Sequence, residues 1–219
     1  MEVNIFGEGA VGYKNIVKSS SSQDFFLYKK YKNYAVCTVA DGHSMDVFKY
    51  SHIGSYLACQ SVFEILKTYK LNEDIEKGEQ NFICDLKNKK VQNDIKNKWR
   101  DLVYREFYKR NYKVYKLDYM LFGTTLSFVI FLKEYIVFFN LGDSSILIKE
   151  DKDYVNVFKN NNFKFVNSLA LYNCEEKMQY NILKMNKDFK LVISTDGFIN
   201  SFETYHKLKS ELDRTFQIL

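Results

Sequence analysis

The chain has 219 residues, 46% of them apolar and 17% aromatic, which suffices for one sizeable domain over 1–219 and would make two domains small. The formal net charge is +5 and the lysines are spread out, concentrated only at 87–116, which excludes the dense basic stripe of a nucleic-acid reader. LSFVIFL at 126–132, the longest apolar run, is too short to span a bilayer, and MEVNIFGEGAVGYK at the start has no hydrophobic signal core.

In chain order, FFLYKKYKNYAVCTVA at 25–40 places two apolar runs around the polar tip KKYKN. This predicts a β-hairpin whose second strand, YAVCTVA, is buried on both faces. From about 45 to 70 the period becomes helical, with Val47, Tyr50, Ile53, Leu57, Val62 and Leu66 on one face. The polar stretch 71–90 leaves room for a further helical piece. A second long helix is expected over about 91–113, with Ile95, Trp99, Leu102, Val103 and Phe107 inward. KRNYKVYK at 109–116 reads as a solvated helix end.

Four short β-rich runs follow: LSFVIFL, YIVFFNL, SILIKE and YVNVF, separated by KE, GDS and EDKD. Separators this short predict an antiparallel meander. The stretch 159–188 has no readable period. FKLVIST at 189–195 is another buried strand, and a helix is expected over about 198–212. Antiparallel strands with helices grouped between them make an α+β protein. Cys37, Cys59, Cys84 and Cys174 form no CxxC pair, which predicts free thiols in a reducing compartment and a cytoplasmic protein.

Three strands end in a carboxylate beside a glycine: TVADGHS at 38–44, FFNLGDSS at 138–145 and VISTDGF at 192–198. Carboxylates that converge repel one another and resist leaving water. A divalent cation removes that penalty, and Mg²⁺ and Mn²⁺ prefer oxygen ligands. Asp24, Asp41, Asp143 and Asp196 are therefore the candidate ligands. Gly42, lacking a Cβ, lets its carbonyl approach an ion. Taken singly, each Asp-Gly step is also an ordinary turn signal.

The ordered set resembles the metal-dependent protein phosphatases, the PP2C-like or PPM-type family, in its bacterial-type branch. TVADGHS resembles that family's DGHG element, FGTTLSFVI at 122–130 its SGTT strand, and FFNLGDSSILI at 138–148 its N-x-GDS element. LVISTDGF at 191–198 resembles its S-DG element, and SSQDFF at 21–26 its N-terminal QD. The resemblance covers about residues 5–200. It implies an antiparallel β-sandwich flanked by helix pairs, in four layers. It also implies a serine/threonine protein phosphatase that hydrolyses phosphoserine and phosphothreonine with a metal-activated water. Two ions, Mn²⁺ or Mg²⁺, and a weaker third are implied. Asp41 would bridge two of them, the Gly42 carbonyl would bind one, and Asp196 would bind the first. Asp24 would hold metal-bound water, Asp143 would help the third ion, and His43 would protonate the leaving alkoxide. The implied partner is a phosphorylated protein, a Ser/Thr kinase or its target, with neither nucleic acid nor membrane.

Three departures bear on activity. The family's last strand carries a ligand Asp three residues before a Thr; aligned on Thr215 that position is Leu212, with Asp213 either the nearest substitute or simply part of a helix, and a shortened C-terminal region is expected. The cation that grips substrate phosphate has Lys14 and Lys18 as local candidates. Ser44 stands where the family has glycine. The alternative these departures raise is a catalytically impaired relative kept as a binding or regulatory module.

Overall fold

The computed structural model describes residues 3–11, 17, 22–110, 116–158, 166–185 and 189–218. The polar tip at 31–34 closes the expected hairpin: β1 (Phe25–Lys30) and β2 (Ala35–Ala40) pair antiparallel from Phe25↔Ala40 to Lys30↔Ala35. β3 (Leu126–Phe131) pairs with β2, and β4 (Tyr135–Leu141) with β3. A strand inside the unreadable stretch, β7 (Gln179–Lys184), pairs with β4 and completes a five-stranded sheet in the order β1-β2-β3-β4-β7. β5 (Ser145–Glu150), β6 (Asp153–Asn156) and β8 (Leu191–Ser194) form a second sheet, ordered β6-β5-β8.

The expected meander therefore breaks in the middle. β4 is already paired on both sides by β3 and β7, so β5 cannot join it. The chain leaves the first sheet at Gly142, whose φ of +120° suits only glycine and whose absent Cβ would lie 2.5 Å from Thr125 Cγ2. It then starts the second sheet at Ser145. This crossing puts Asp143 between the two sheets.

The helices are α1 (Ser51–Thr68), α2 (Ile75–Lys87) and α3 (Lys90–Arg110). A 3-10 turn at Asp46–Phe48 precedes α1, so the helix starts later than its periodicity suggested. The Asp74 side chain caps α2 by accepting from the Lys77 N–H at 3.2 Å. The helix expected over 198–212 divides into α4 (Asp196–Asn200) and α5 (Tyr205–Ile218). Ser201 turns its hydroxyl back onto the Phe198 carbonyl at 2.6 Å, and Thr204 accepts from the Lys207 N–H to begin α5.

Three cores fill the spaces between four layers. The largest lies between α1–α3 and the first sheet, joining Leu57, Val62, Trp99, Phe128, Ile130 and Phe139. The second lies between the sheets, with Val129 and Phe138 against Ile146 and Ile148. The third joins Leu147 and Tyr154 to Leu208 and Leu212 of α5. Alternate residues of one strand thus enter different cores, which is why β3 and β5 read as continuous apolar runs. α1 lies so close to the chain before β3 that a Cβ on Gly54 would sit 1.8 Å from the Phe122 carbonyl oxygen. The Trp99 indole N–H, donating to the Gly54 carbonyl at 3.0 Å, ties α3 to the same place.

Candidate metal centre

Register explains why the first two carboxylates meet. Phe25 pairs with Ala40, so Asp24 before β1 and Asp41 after β2 leave the hairpin at the same end. Asp196 follows β8 and opens α4, bringing a carboxylate from the second sheet. The Asp41 carboxyl lies within hydrogen-bonding reach of those of Asp24 and Asp196. Burial, and then the charges of Asp24 and Asp196, push Asp41 up to about 9. Burial also raises Asp24, against hydrogen bonds from Asp41 and Thr195 that act the other way. Asp143 is raised by burial first and then by the charges of Asp196 and Asp24, and its Oδ1 is buried without a hydrogen-bond partner among the described residues.

The backbone around these acids is held tightly. The Asp41 carbonyl accepts from the Thr125 N–H and the Thr124 hydroxyl, each at 2.9 Å, and the Asp41 N–H donates to Thr125 Oγ1 at 2.9 Å. Gly42 donates its N–H to the Gln23 carbonyl at 3.2 Å, and a Cβ at Gly42 would stand 2.6 Å from that oxygen and 2.9 Å from the Ser51 carbonyl oxygen. The His43 ring packs on Phe48, centroids 4.7 Å apart, and burial lowers its pKa. Ser44 is exposed and is not among the residues with positive φ, so a side chain in place of glycine strains nothing there.

Of the candidate residues, Asp24, Asp41 and Asp196 come into contact, Asp143 lies within electrostatic range, and Gly42 and His43 follow Asp41 directly. Asp213 does not join them. It lies in α5, where it accepts from Lys149 Nζ and, at 3.0 Å, from the Tyr154 hydroxyl. The proposed substitution of Asp213 for Leu212 is therefore corrected: Leu212 belongs to the outer core and Asp213 points to the outer face of the second sheet. Lys14 and Lys18 lie outside the described residues.

Several supporting residues escaped the sequence reading. Thr195 Oγ1 donates to Asp24 Oδ2 at 3.1 Å, and Asn200 Nδ2 to Asp196 Oδ2 at 3.1 Å. Each stands beside or one helical turn from a motif aspartate, and that adjacency was the only signal available.

Among the described residues no three His, Cys, Asp or Glu side chains are arranged ready to hold an ion. The donor set nevertheless fits a hard divalent cation: three carboxyls in contact, a fourth with an orphaned oxygen, and no basic side chain among the causes of their shifts.

Two antiparallel sheets packed between helical layers, with acids from both sheets at one end, define a phosphatase-type sandwich. The chain belongs to the protein phosphatase 2C family, whose model matches residues 11–219. No curated protein matched the sequence. Among solved structures, the serine/threonine phosphatase of S. agalactiae is similar at 18% identity and a TM-score of 0.55, over 88% of this chain and 80% of that one. The serine-threonine phosphatase 2C of Toxoplasma gondii is similar at 11% identity and a TM-score of 0.53, over 84% and 76% of the two chains. The catalytic domain of the serine/threonine protein phosphatase PstP, solved with two manganese ions, is similar at 11% identity and a TM-score of 0.51, over 84% and 74%. Identities this low carry the fold.

Proposed function

We propose that this protein is a serine/threonine protein phosphatase that depends on Mn²⁺ or Mg²⁺ and hydrolyses phosphoserine and phosphothreonine in other proteins. The observation that carries the proposal is the convergence of Asp41, at the end of β2, with Asp24 before β1 and Asp196 after β8, three carboxyls from two sheets with no basic side chain among the causes of the Asp24 and Asp41 shifts. Family membership and the manganese in PstP support the same reading. Asp41, Asp196, Asp24, Asp143 and the Gly42 carbonyl are the groups that would hold the ions. When bound, such ions activate water and neutralise charge on a transferring phosphoryl group.

The chain's own residues then have distinct tasks. Asp41 and Asp196 join the two sheets at the point where phosphate would sit. Thr124 and Thr125 fix the Asp41 backbone, so its carboxyl needs little reorganisation. His43 would hand a ring N–H proton to the serine or threonine oxygen as its bond to phosphorus breaks, and regain one from solvent. Burial lowers the His43 pKa, and an approaching phosphate dianion favours its protonated form. A thiol nucleophile is disfavoured, because burial pushes Cys37 and Cys59 up to about 12 and Cys174 up to about 11.

The substrate we propose is a phosphorylated protein of the cytoplasm, a Ser/Thr kinase or its target. No helix among the described residues is long and apolar enough to cross a membrane.

A second reading has its own observation. Leu212 is buried in the outer core and Asp213 is engaged by Lys149 and Tyr154, so neither joins the acidic cluster, and a metal-poor relative acting as a binding module would look the same. Phosphate release from a phosphothreonine peptide separates the two. Turnover that requires Mn²⁺, stops with EDTA and is absent from Asp41→Ala supports the phosphatase. Folded protein without turnover supports the binding module.

A further inference from the structure

Gln23 precedes Asp24 and touches the turn after β2 in two ways. Its main-chain carbonyl accepts from the Gly42 N–H at 3.2 Å, and its side-chain Nε2 donates to the His43 carbonyl at 3.0 Å. Three consecutive peptide planes run through this turn. The Gly42 N–H, at the first, is held by Gln23. The His43 N–H, at the second, donates to the Gly123 carbonyl at 3.1 Å. The His43 carbonyl, at the third, is held again by Gln23.

A trans peptide is planar, so its N–H and C=O point in opposite directions. With the His43 N–H fixed on Gly123, the Gly42 carbonyl must face away from Gly123. Gln23 clamps the planes on either side, which removes the rotations that would turn that carbonyl. Both hydrogens of the Gln23 amide are used, the second on Ser51 Oγ at 3.0 Å. The Ser55 hydroxyl grips the Gln23 carbonyl at 2.6 Å. Ser51 and Ser55 are fully buried in α1, so the clamp is anchored on a helix and not on a loop.

We propose that Gln23 is a positioning residue, which aims the Gly42 carbonyl and His43 at the acidic cluster and thereby sets the affinity of the centre for its cation. This deepens the phosphatase reading and rests on it. A plain structural role would be satisfied by any group that fills the space and would leave cation affinity untouched.

Gln23→Met makes the distinction, because it keeps the length of the side chain, deletes both donors and retains the main-chain carbonyl. Thermal melting in EDTA and across a Mn²⁺ titration reads metal binding without reference to turnover. The expected result is a melting temperature in EDTA close to the parent's, and half-maximal stabilisation at a Mn²⁺ concentration on the order of tenfold higher. In phosphopeptide turnover kcat falls while KM stays near the parent value. A Gln23→Met protein that takes up Mn²⁺ at the parent's concentration overturns the assignment. If that variant does not fold, Ser51→Ala, which removes the amide's other partner, must shift the Mn²⁺ titration in the same direction, and an unchanged titration overturns the assignment equally. A parent protein that Mn²⁺ does not stabilise at all overturns the metal-dependent reading itself, and this inference with it.

Discussion

At Asp41 one carboxyl lies against two others, and burial together with the charges of Asp24 and Asp196 pushes its pKa up to about 9, a penalty that a bound cation would relieve. Replacing Asp41 by Asn removes the acid and keeps an amide that can donate to Asp24 and Asp196. In EDTA at pH 7 we expect Asp41→Asn to unfold at higher denaturant than the parent, by on the order of 2 kcal/mol. The same variant should lose the stabilisation that Mn²⁺ confers. An Asp41→Asn protein less stable than the parent in EDTA would show that the carboxyl is structural. Asp24, Asp41, Asp143 and Asp196 were legible in the sequence because each ends or begins an apolar run. Gln23 and Thr195 were not, because their contacts are tertiary: Thr195 reaches Asp24 across 171 positions of sequence.

Among the elements, α5 carries the clearest correction. Its Leu208 and Leu212 cover β5 and β6, and Asp213 fastens the helix to Lys149 and Tyr154. Hydrogen bonds from Lys149 and then Tyr154 hold the Asp213 carboxyl below the ordinary aspartate range. A depressed folded pKa contributes stability that is present above the unfolded value and is lost as pH falls through the folded one. Asp213→Asn should therefore melt slightly below the parent at pH 7, and the gap should close below about pH 4, where the unfolded aspartate titrates. A gap independent of pH would mean that the contact is steric and not ionic. β7 shows the opposite limit of sequence reading. QYNILK lies at the edge of its sheet with Gln179, Tyr180 and Asn181 exposed, so no apolar run announced it. The buried strands β2, β3 and β4 were each legible as apolar runs, and so was β8, although it is only half-buried and not the buried strand its sequence suggested.

For the whole molecule, the acidic cluster lies where the two sheets meet. Asp24 and Asp41 belong to the five-stranded sheet, Asp196 follows the three-stranded one, and Asp143 lies on the crossing between them. A cation held there would join the sheets as well as serve chemistry. Amide hydrogen exchange should then slow on adding Mn²⁺ at the ends of both β2 and β8, with a stabilisation of about 2.7 kcal/mol at a hundredfold excess over Kd. Protection confined to β2 would remove Asp196 from the ligand set.

The local pattern of residues determined the strands, the long helices and the strand-end acids, because burial on one or two faces imposes a period that a single chain displays. The order of motifs was sufficient to suggest the family. Only the tertiary structure decided that the chain changes sheets at Gly142, that Leu212 faces a core and Asp213 a lysine, and that Gln23 clamps the Gly42 turn. Those outcomes depend on which surfaces meet across long stretches of chain, and no local period records such meetings.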